Sequence, residues 1–150
     1  MKIEVLQNDS SDRERFYQYL LEVDNDFAIP LSDKVNLQDY AVKLLTYGRV
    51  LVAVDSSSVI LGAIAYYCNN HQTQKASWPF LSVKSQNRGR GYAVKLINRM
   101  LLDCKNNGMK LVQCDSVNPI AVNLYKKMGF QEIGKSIIGQ LTKVELLYNL

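Results

Sequence analysis

The segment QNRGRG at residues 86–91 joins a strand pattern to a helix pattern through two glycines. Gly89 and Gly91 lack Cβ atoms, so the backbone there can adopt positive φ angles or approach a ligand closely. The helix that follows leaves the amides of its first turn without intrahelical partners, and these amides favour an anion such as a phosphate. Arg88 and Arg90 add positive charge. The segment therefore predicts a strand, an anion-binding turn and a helix in succession.

Two familiar phosphate loops do not fit this turn. No Gly-Lys-Ser/Thr follows it, as a P-loop requires, and Val94 stands where a dinucleotide-binding loop has its third glycine. A tight strand-to-helix connection with solvated arginines explains the same residues without any ligand. The turn alone leaves both interpretations open.

Strand and helix patterns alternate along the whole chain. β-branched and aromatic residues predict strands at 2–6, 49–55, 58–68, 74–83, 109–117, 130–134 and 141–149. Helical spacing predicts helices that begin after Ser10 or Ser11, at about 37–47, from 92 to about 107 and at 119–128, with a loop at 24–36. These patterns predict one mixed α/β domain over residues 1–150, with a mostly antiparallel sheet flanked by helices.

Pro79 marks an irregularity in the strand at 74–83, because proline cannot donate to a ladder. It predicts an edge, a bulge or a splayed end. We expect residues 76–83 to run parallel to residues 109–115 and the two strands to diverge beside the helix that follows the glycine turn.

Composition excludes several classes of protein. The chain has 150 residues, 47% of them hydrophobic and 21% charged, which is typical of one globular domain. Its net charge of +4 comes from dispersed basic residues, so we expect no nucleic-acid partner. The longest apolar run, at residues 50–54, is far too short to span a bilayer, and the N-terminal residues do not resemble a signal peptide. We therefore expect a cytoplasmic protein without a membrane partner.

Three cysteines, Cys68, Cys104 and Cys114, have neither CxxC spacing nor a nearby histidine. This arrangement predicts neither a zinc site nor a disulfide framework. We expect free, mostly buried thiols and no bound metal.

A second segment, NPIAVNLYKKMGF at residues 118–130, follows about 30 residues after the glycine turn. Each of its main residues has a structural explanation: Asn118 is a good N-cap, Pro119 suits the first helical position and Gly129 is a helix stop. Ala121, Leu124, Tyr125 and Met128 form a stripe that we expect to face the core. The joint presence of the two segments, in this order, is more informative than either one.

Together the two segments resemble the GCN5-related N-acetyltransferase (GNAT) family. The glycine turn is similar to the family's Gln/Arg-x-x-Gly-x-Gly/Ala at Gln86, Gly89 and Gly91. The later segment is similar to Asn-x-x-Ala-x-x-Leu-Tyr-x-x-x-Gly-Phe at Asn118, Ala121, Leu124, Tyr125, Gly129 and Phe130. The resemblance is densest over residues 81–133 and implies the GNAT-like, or acyl-CoA N-acyltransferase, fold.

The resemblance also implies roles for residues. The pyrophosphate of acetyl-CoA would be held by backbone amides of Arg88, Gly89, Arg90, Gly91, Tyr92 and Ala93. The pantetheine arm would lie against Leu81, Ser82 and Val83, and Asn118 would meet the cofactor nearby. Tyr125 would protonate the departing thiolate, and a strand amide would stabilise the oxyanion.

The general base is left unassigned. Members of the family often carry a carboxylate on the strand before the glycine turn, but residues 75–83 contain no Asp or Glu. Asp115, His71 or a water held by Ser82 are alternatives. His71 also fits the role of a solvated turn residue, and Asp115 that of a residue at the end of its strand.

The resemblance implies acetyl transfer from acetyl-CoA to a primary amine of a small molecule, with an amino sugar or sugar nucleotide preferred, by direct attack in a ternary complex. Two alternatives stay open: a non-catalytic acyl-CoA-binding or regulatory module, and a protein N-terminal or lysine acetyltransferase. The loop at 27–36 would cover the acceptor. Trp78 would serve packing or form a wall of the acceptor pocket. We expect a monomer, or a homodimer through the final strands.

Overall fold

A computed structural model describes residues 1–150, and a seven-stranded sheet runs through them. The strands are β1 (Lys2–Val5), β2 (Arg49–Val54), β3 (Ile60–Tyr67), β4 (Lys75–Val83), β5 (Leu111–Ser116), β6 (Gln131–Ile138) and β7 (Leu141–Asn149). The helices are α1 (Ser10–Val23), α2 (Leu37–Tyr47), α3 (Tyr92–Asn106) and α4 (Pro119–Lys127). Short 3₁₀ turns occupy Asp24–Asp26, Leu31–Asp33 and Ser85–Asn87.

The strands lie in the order β1-β2-β3-β4-β5-β7-β6. Every neighbouring pair is antiparallel except β4 and β5, which are parallel. The prediction of a mixed, mostly antiparallel sheet flanked by helices is confirmed.

β4 and β5 pair only at their beginnings. Residues 75–77 of β4 pair with residues 111–113 of β5, and beyond Ser77 the two strands separate. Pro79 lies at the point of separation, and the register between β3 and β4 shifts there as well, opposite Tyr66. Because proline has no N–H to donate, it fits where the ladder is interrupted on both sides. The predicted divergence and irregularity at Pro79 are therefore confirmed.

Two hydrophobic clusters cover the two faces of the sheet. One packs α3 and α4 against β-strand residues such as Ile64 and Leu146, and the other packs α1 and α2 against residues such as Val52 and Phe80. Tyr66 belongs to the first cluster and Tyr67 packs against the second, as the alternation of side chains along a strand requires. No helix is long and apolar enough to span a membrane.

The helix caps and faces differ in detail from the sequence-based expectation. The N-cap of α1 is Asp9, whose side chain accepts a hydrogen bond of 2.8 Å from the amide of Asp12, so the expected cap at Ser10 or Ser11 is wrong. Ser10 and Ser11 lie one and two positions after the N-cap and are already inside the first turn of α1. A carboxylate at the N-cap also interacts favourably with the helix dipole.

The buried faces of α3 and α4 are rotated slightly from the expected stripes. Helical spacing predicts a buried stripe on α3 of Ala93, Ile97, Met100, Leu101 and Cys104; α3 buries Leu96, Ile97, Met100 and Cys104, whereas Ala93 and Leu101 are only partly buried. α4 buries Val122 and Tyr125, whereas Ala121 and Leu124 are only partly buried. Ala93, Ala121 and Leu124 line the opening between the diverging strands β4 and β5. All three cysteines are buried and form no disulfide.

Candidate active site

The divergence of β4 and β5 opens a groove of about 950 Å³. Its walls come from the end of β4, the glycine turn, the beginning of α3, the loop after β5 and α4. Thirteen of its 22 lining residues are hydrophobic, so the groove fits a largely apolar chain with polar groups at defined points.

The groove brings together every predicted site residue except Arg90. The lining includes Leu81, Ser82, Val83, Arg88, Gly89, Gly91, Tyr92, Ala93, Asn118 and Tyr125. Arg90 is exposed and lies outside the lining.

The glycine turn presents free amides to the groove. Gly89 and Gly91 have φ angles of 78° and 80°, and Gly91 occupies the N-cap of α3 without any side-chain cap. The first α-helical hydrogen bond of α3 runs from the amide of Lys95 to the carbonyl of Gly91, so the amides of residues 92–94 have no backbone partner. A Cβ at either glycine would meet no atom within 4 Å. Internal packing does not require glycine at these positions, because the space beside both residues is open. The left-handed backbone and the open space instead fit a bound phosphate.

The end of β4 forms one wall with an open edge. Leu81, Ser82 and Val83 pair with β3 on one side and have no strand partner on the other. The buried hydroxyl of Tyr19 donates a 3.0 Å hydrogen bond to the carbonyl of Ser82, and burial raises the pKa of Tyr19 well above its ordinary value of 10.0. This bond anchors β4 to α1. Backbone groups on the open edge are therefore held in place for a bound chain.

Arg88 links the glycine turn to both β4 and the loop after α1. Its Nε donates a 3.2 Å hydrogen bond to the carbonyl of Val83, and its terminal guanidinium nitrogen lies 3.6 Å from Oδ2 of Asp26. Arg88 is 55% exposed and Asp26 32% exposed at the side chain, so both remain accessible to a ligand.

Asn118 begins α4 at the opposite rim. Its side-chain oxygen accepts a 3.0 Å hydrogen bond from the backbone amide of Ile120, and its backbone amide donates a 3.1 Å hydrogen bond to Oγ of Ser116. Pro119 occupies the first helical position, where a missing N–H costs nothing. The capping role is therefore real, and the Nδ2 group of Asn118 has no internal partner.

Tyr125 is packed into an aromatic cluster and also lines the groove. Its ring lies edge-on to Trp78, with the centroids 5.2 Å apart, and 6.1 Å from Phe130. Burial, with a smaller contribution from Cys114, raises the pKa of Tyr125 well above its ordinary value. The hydroxyl of Tyr125 makes no hydrogen bond within the chain. Every fully buried side-chain nitrogen or oxygen has a hydrogen-bond partner, so this unpaired hydroxyl is not fully buried and contacts the open groove. Trp78 does not line the groove and packs behind Tyr125.

Two of the base candidates lie elsewhere. His71 lines a separate pocket of about 280 Å³ with Arg49 and Cys68, beyond the end of β3. Asp115 is exposed and pairs with Glu145 of β7, on the face of the sheet opposite to Cys114. Of the three alternatives for the general base, only a water held by Ser82 involves a residue that lines the groove.

The structure adds residues that no motif indicated. Asp26, Ala28 and Leu141 line the groove, although they lie far from both motifs in the sequence. Phe27, from the loop expected to cover the acceptor, also lines it and packs on Phe80 with a centroid separation of 5.7 Å. Of that loop, Phe27 and Ala28 line the groove, whereas Pro30 and the remaining residues lie outside the lining. No sequence signal would have identified Leu141, which reaches the groove only through strand order.

The chain is similar to known proteins in its fold and in part of its sequence. Residues 46–132 match the family model described as the Acetyltransferase (GNAT) domain. No curated protein matches the sequence.

Three solved structures illustrate the similarity of fold. A GCN5-related N-acetyltransferase from Kribbella flavida is 22% identical with a TM-score of 0.77, covering 99% of this chain and 98% of that one. A chain of the NatC complex bound to Gag peptide and CoA is 22% identical with a TM-score of 0.80, covering 100% and 99%. An aminoglycoside 6'-N-acetyltransferase complexed with coenzyme A is 12% identical with a TM-score of 0.80, covering 99% and 97%.

At these identities the solved structures establish the fold, while the family model matches more than half of the chain. The expected resemblance is confirmed: the chain belongs to the GNAT family and is an acetyltransferase that uses acetyl-CoA as its acetyl donor.

Proposed function

We propose that the chain transfers an acetyl group from acetyl-CoA to a primary amine of a small molecule, by direct attack within a ternary complex. The observation that carries the proposal is the single groove in which unpaired turn amides, the open edge of β4 and the hydroxyl of Tyr125 meet. Amino sugars and sugar nucleotides are the acceptors we prefer. The fold shared with an aminoglycoside acetyltransferase supports that preference, because aminoglycosides carry amino groups on sugar rings.

The proposed roles follow the geometry of the groove. The unpaired amides of residues 89–93 at the N-terminus of α3 hold the phosphates, whereas the Arg88 amide already donates to the carbonyl of Ser85. The backbone of residues 81–83 holds the pantetheine arm. The amine nitrogen loses a proton to a water held by Ser82 and forms a bond to the carbonyl carbon, a strand amide stabilises the oxyanion, and the C–S bond breaks. The departing thiolate takes the proton of the Tyr125 hydroxyl, and the phenolate regains a proton from solvent through the open groove. Asn118, at the rim of α4, contacts the cofactor.

A second candidate is a non-catalytic acyl-CoA-binding module on the same fold. It is favoured by the absence of a carboxylate from β4 and by the positions of His71 and Asp115 outside the groove. Protein N-terminal or lysine acetylation is a third candidate, supported by the fold shared with a chain of the NatC complex.

Release of free CoA thiol separates these candidates. The purified chain is given acetyl-CoA and, one at a time, glucosamine, an aminoglycoside, spermidine, a peptide with a free N-terminus and an N-blocked lysine peptide. We expect amine-dependent thiol release with at least one of the three small amines. Saturable CoA binding without amine-dependent release indicates the binding module, and release with peptides alone indicates protein acetylation.

A further inference from the structure

Asp26 is the only acidic residue that lines the groove. Among the 22 lining residues, the single other charged one is Arg88. Acetyl transfer to an amine brings a cation into this site, because a primary amine is protonated at neutral pH. A carboxylate facing an otherwise apolar groove is the group that an ammonium would contact.

The position of Asp26 fits contact with the acceptor. It ends the 3₁₀ turn after α1, and the next residue, Phe27, packs on Phe80 of β4. Asp24 anchors the same loop by accepting a 2.9 Å hydrogen bond from the amide of Ser32. Asp26 is therefore held over β4, on the α1 and α2 side of the sheet.

Leu141 lies on the same side of the sheet as Asp26. Val144 and Leu146 of β7 belong to the cluster under α3 and α4, so by alternation Leu141 faces the other way. The end of β4, the glycine turn, the beginning of α3, the loop after β5 and α4 form the remaining walls of the groove. An acceptor that enters between Asp26 and Leu141 thus approaches from the α1 and α2 side of the sheet.

The partner of Asp26 links acceptor and cofactor. Arg88 lies 3.6 Å from Asp26 and belongs to the turn proposed to hold the phosphates. A diphosphate carries more negative charge than one carboxylate, so it competes for the same guanidinium. When Arg88 turns to the diphosphate, Asp26 is left in the groove without its cation.

We infer that Asp26 binds an ammonium group of the acceptor, and that acetyl-CoA frees Asp26 for this role by drawing Arg88 to its diphosphate. The inference rests on the proposed function.

Neighbouring carboxylates are already engaged or lie elsewhere. Glu22 forms a 2.7 Å ion pair with Lys84 outside the groove, and Asp24 is bonded to Ser32. Glu22 is therefore a matched control, because it is a paired carboxylate in the last turn of α1 and does not line the groove.

The test compares Asp26→Asn with Glu22→Gln. We expect Asp26→Asn to raise the KM of the best amine by about 10- to 100-fold, the range for loss of a charged hydrogen bond. The Kd of acetyl-CoA should stay the same or fall, since Arg88 loses a competing partner. Glu22→Gln should leave both constants unchanged, and Asp26→Glu should restore part of the lost affinity for the amine.

Calorimetric titration of spermidine into the CoA-bound chain adds a readout that needs no turnover. An unchanged amine KM in Asp26→Asn, or a weaker acetyl-CoA affinity with no effect on the amine, overturns the inference and leaves the proposed function standing. If no amine is acetylated by the wild type, the proposed function fails. In that case, the inference is supported if Asp26→Asn weakens the binding of spermidine and Glu22→Gln does not. Equal binding of spermidine by the wild type and both variants overturns it.

Discussion

Tyr125 shows how one residue serves both the core and the groove. Its ring packs edge-on against Trp78, while its hydroxyl has no partner inside the chain. Burial raises the pKa of Tyr125, so the phenol is protonated throughout the neutral range. Packing and the proposed chemistry thus depend on different atoms of the same side chain.

Replacement of Tyr125 by Phe separates these two roles. The ring and its packing remain, but the proton is lost, so kcat should fall by about 10²- to 10⁴-fold. Acetyl-CoA affinity and thermal stability should change little. Steady-state turnover at saturating acetyl-CoA measures the effect, with a rapid-quench experiment to show that chemistry limits the rate.

Tyr148→Phe is the matched control, because Tyr148 packs 5.0 Å from Phe130 in the same aromatic cluster but does not line the groove. Its turnover should equal that of the wild type. Turnover of Tyr125→Phe within about twofold of the wild type would end the general-acid assignment. The departure of the thiolate would then be assisted by water or by no acid at all.

At the scale of the element, we predict that the glycine turn binds acetyl-CoA through the conformation of its backbone rather than through its arginines. Gly89→Val or Gly91→Val should raise the Kd of acetyl-CoA more than Arg90→Ala does. A branched side chain disfavours the observed φ near 80° and blocks the open space beside the amides, whereas the exposed Arg90 is screened by salt. Equilibrium titration with acetyl-CoA gives the three dissociation constants.

Gly108→Val supplies the control for backbone strain. Gly108 has a φ of 81° and no atom within 4 Å of an added Cβ, but it lies after the far end of α3, outside the groove. We expect it to lose about 1–2 kcal/mol of stability, the cost of a left-handed residue, with unchanged acetyl-CoA affinity. Valine variants of Gly89 and Gly91 that fold and bind acetyl-CoA as the wild type does would contradict the proposed role of the turn.

At the scale of the whole molecule, buried phenols make stability depend on alkaline pH. Burial raises the pKa of Tyr40 to about 12 and those of Tyr19, Tyr66 and Tyr125 still further. In the unfolded chain these groups ionise near their ordinary pKa of 10.0. Above that pH the unfolded state has lost protons that the folded state retains, so the free energy of unfolding should fall as pH rises.

Each fully buried tyrosine should contribute a slope of about 1.4 kcal/mol per pH unit above pH 10. Urea unfolding at several pH values from about 8 to about 11 measures this slope. Tyr19→Phe lowers stability at every pH because it removes the bond to Ser82, but it should also flatten the alkaline slope. An unchanged slope in that variant would show that Tyr19 ionises freely in the folded chain.

Much of the molecule follows from local patterns. α2 begins and ends at the predicted residues 37 and 47, and Pro79 marks the point where β4 leaves β5. Caps, prolines, glycines and side-chain alternation act over a few residues, so the sequence alone determined the order of elements. The two motifs, read as a family resemblance, also determined which residues of β4, α3 and α4 to expect together.

Tertiary structure decided the rest. Asp26 and Leu141 line the groove, although no local signal distinguishes them from other loop and strand-end residues. Asp115 does not line the groove, although the β5–β7 register places it on the face opposite to Cys114, the same face as Leu141. Such placements depend on strand order, register and the divergence of β4 from β5, which arise from contacts between residues far apart in the chain. The sequence by itself therefore determined which residues of the two motifs meet at the groove, and only the packed sheet determined which residues face them across it.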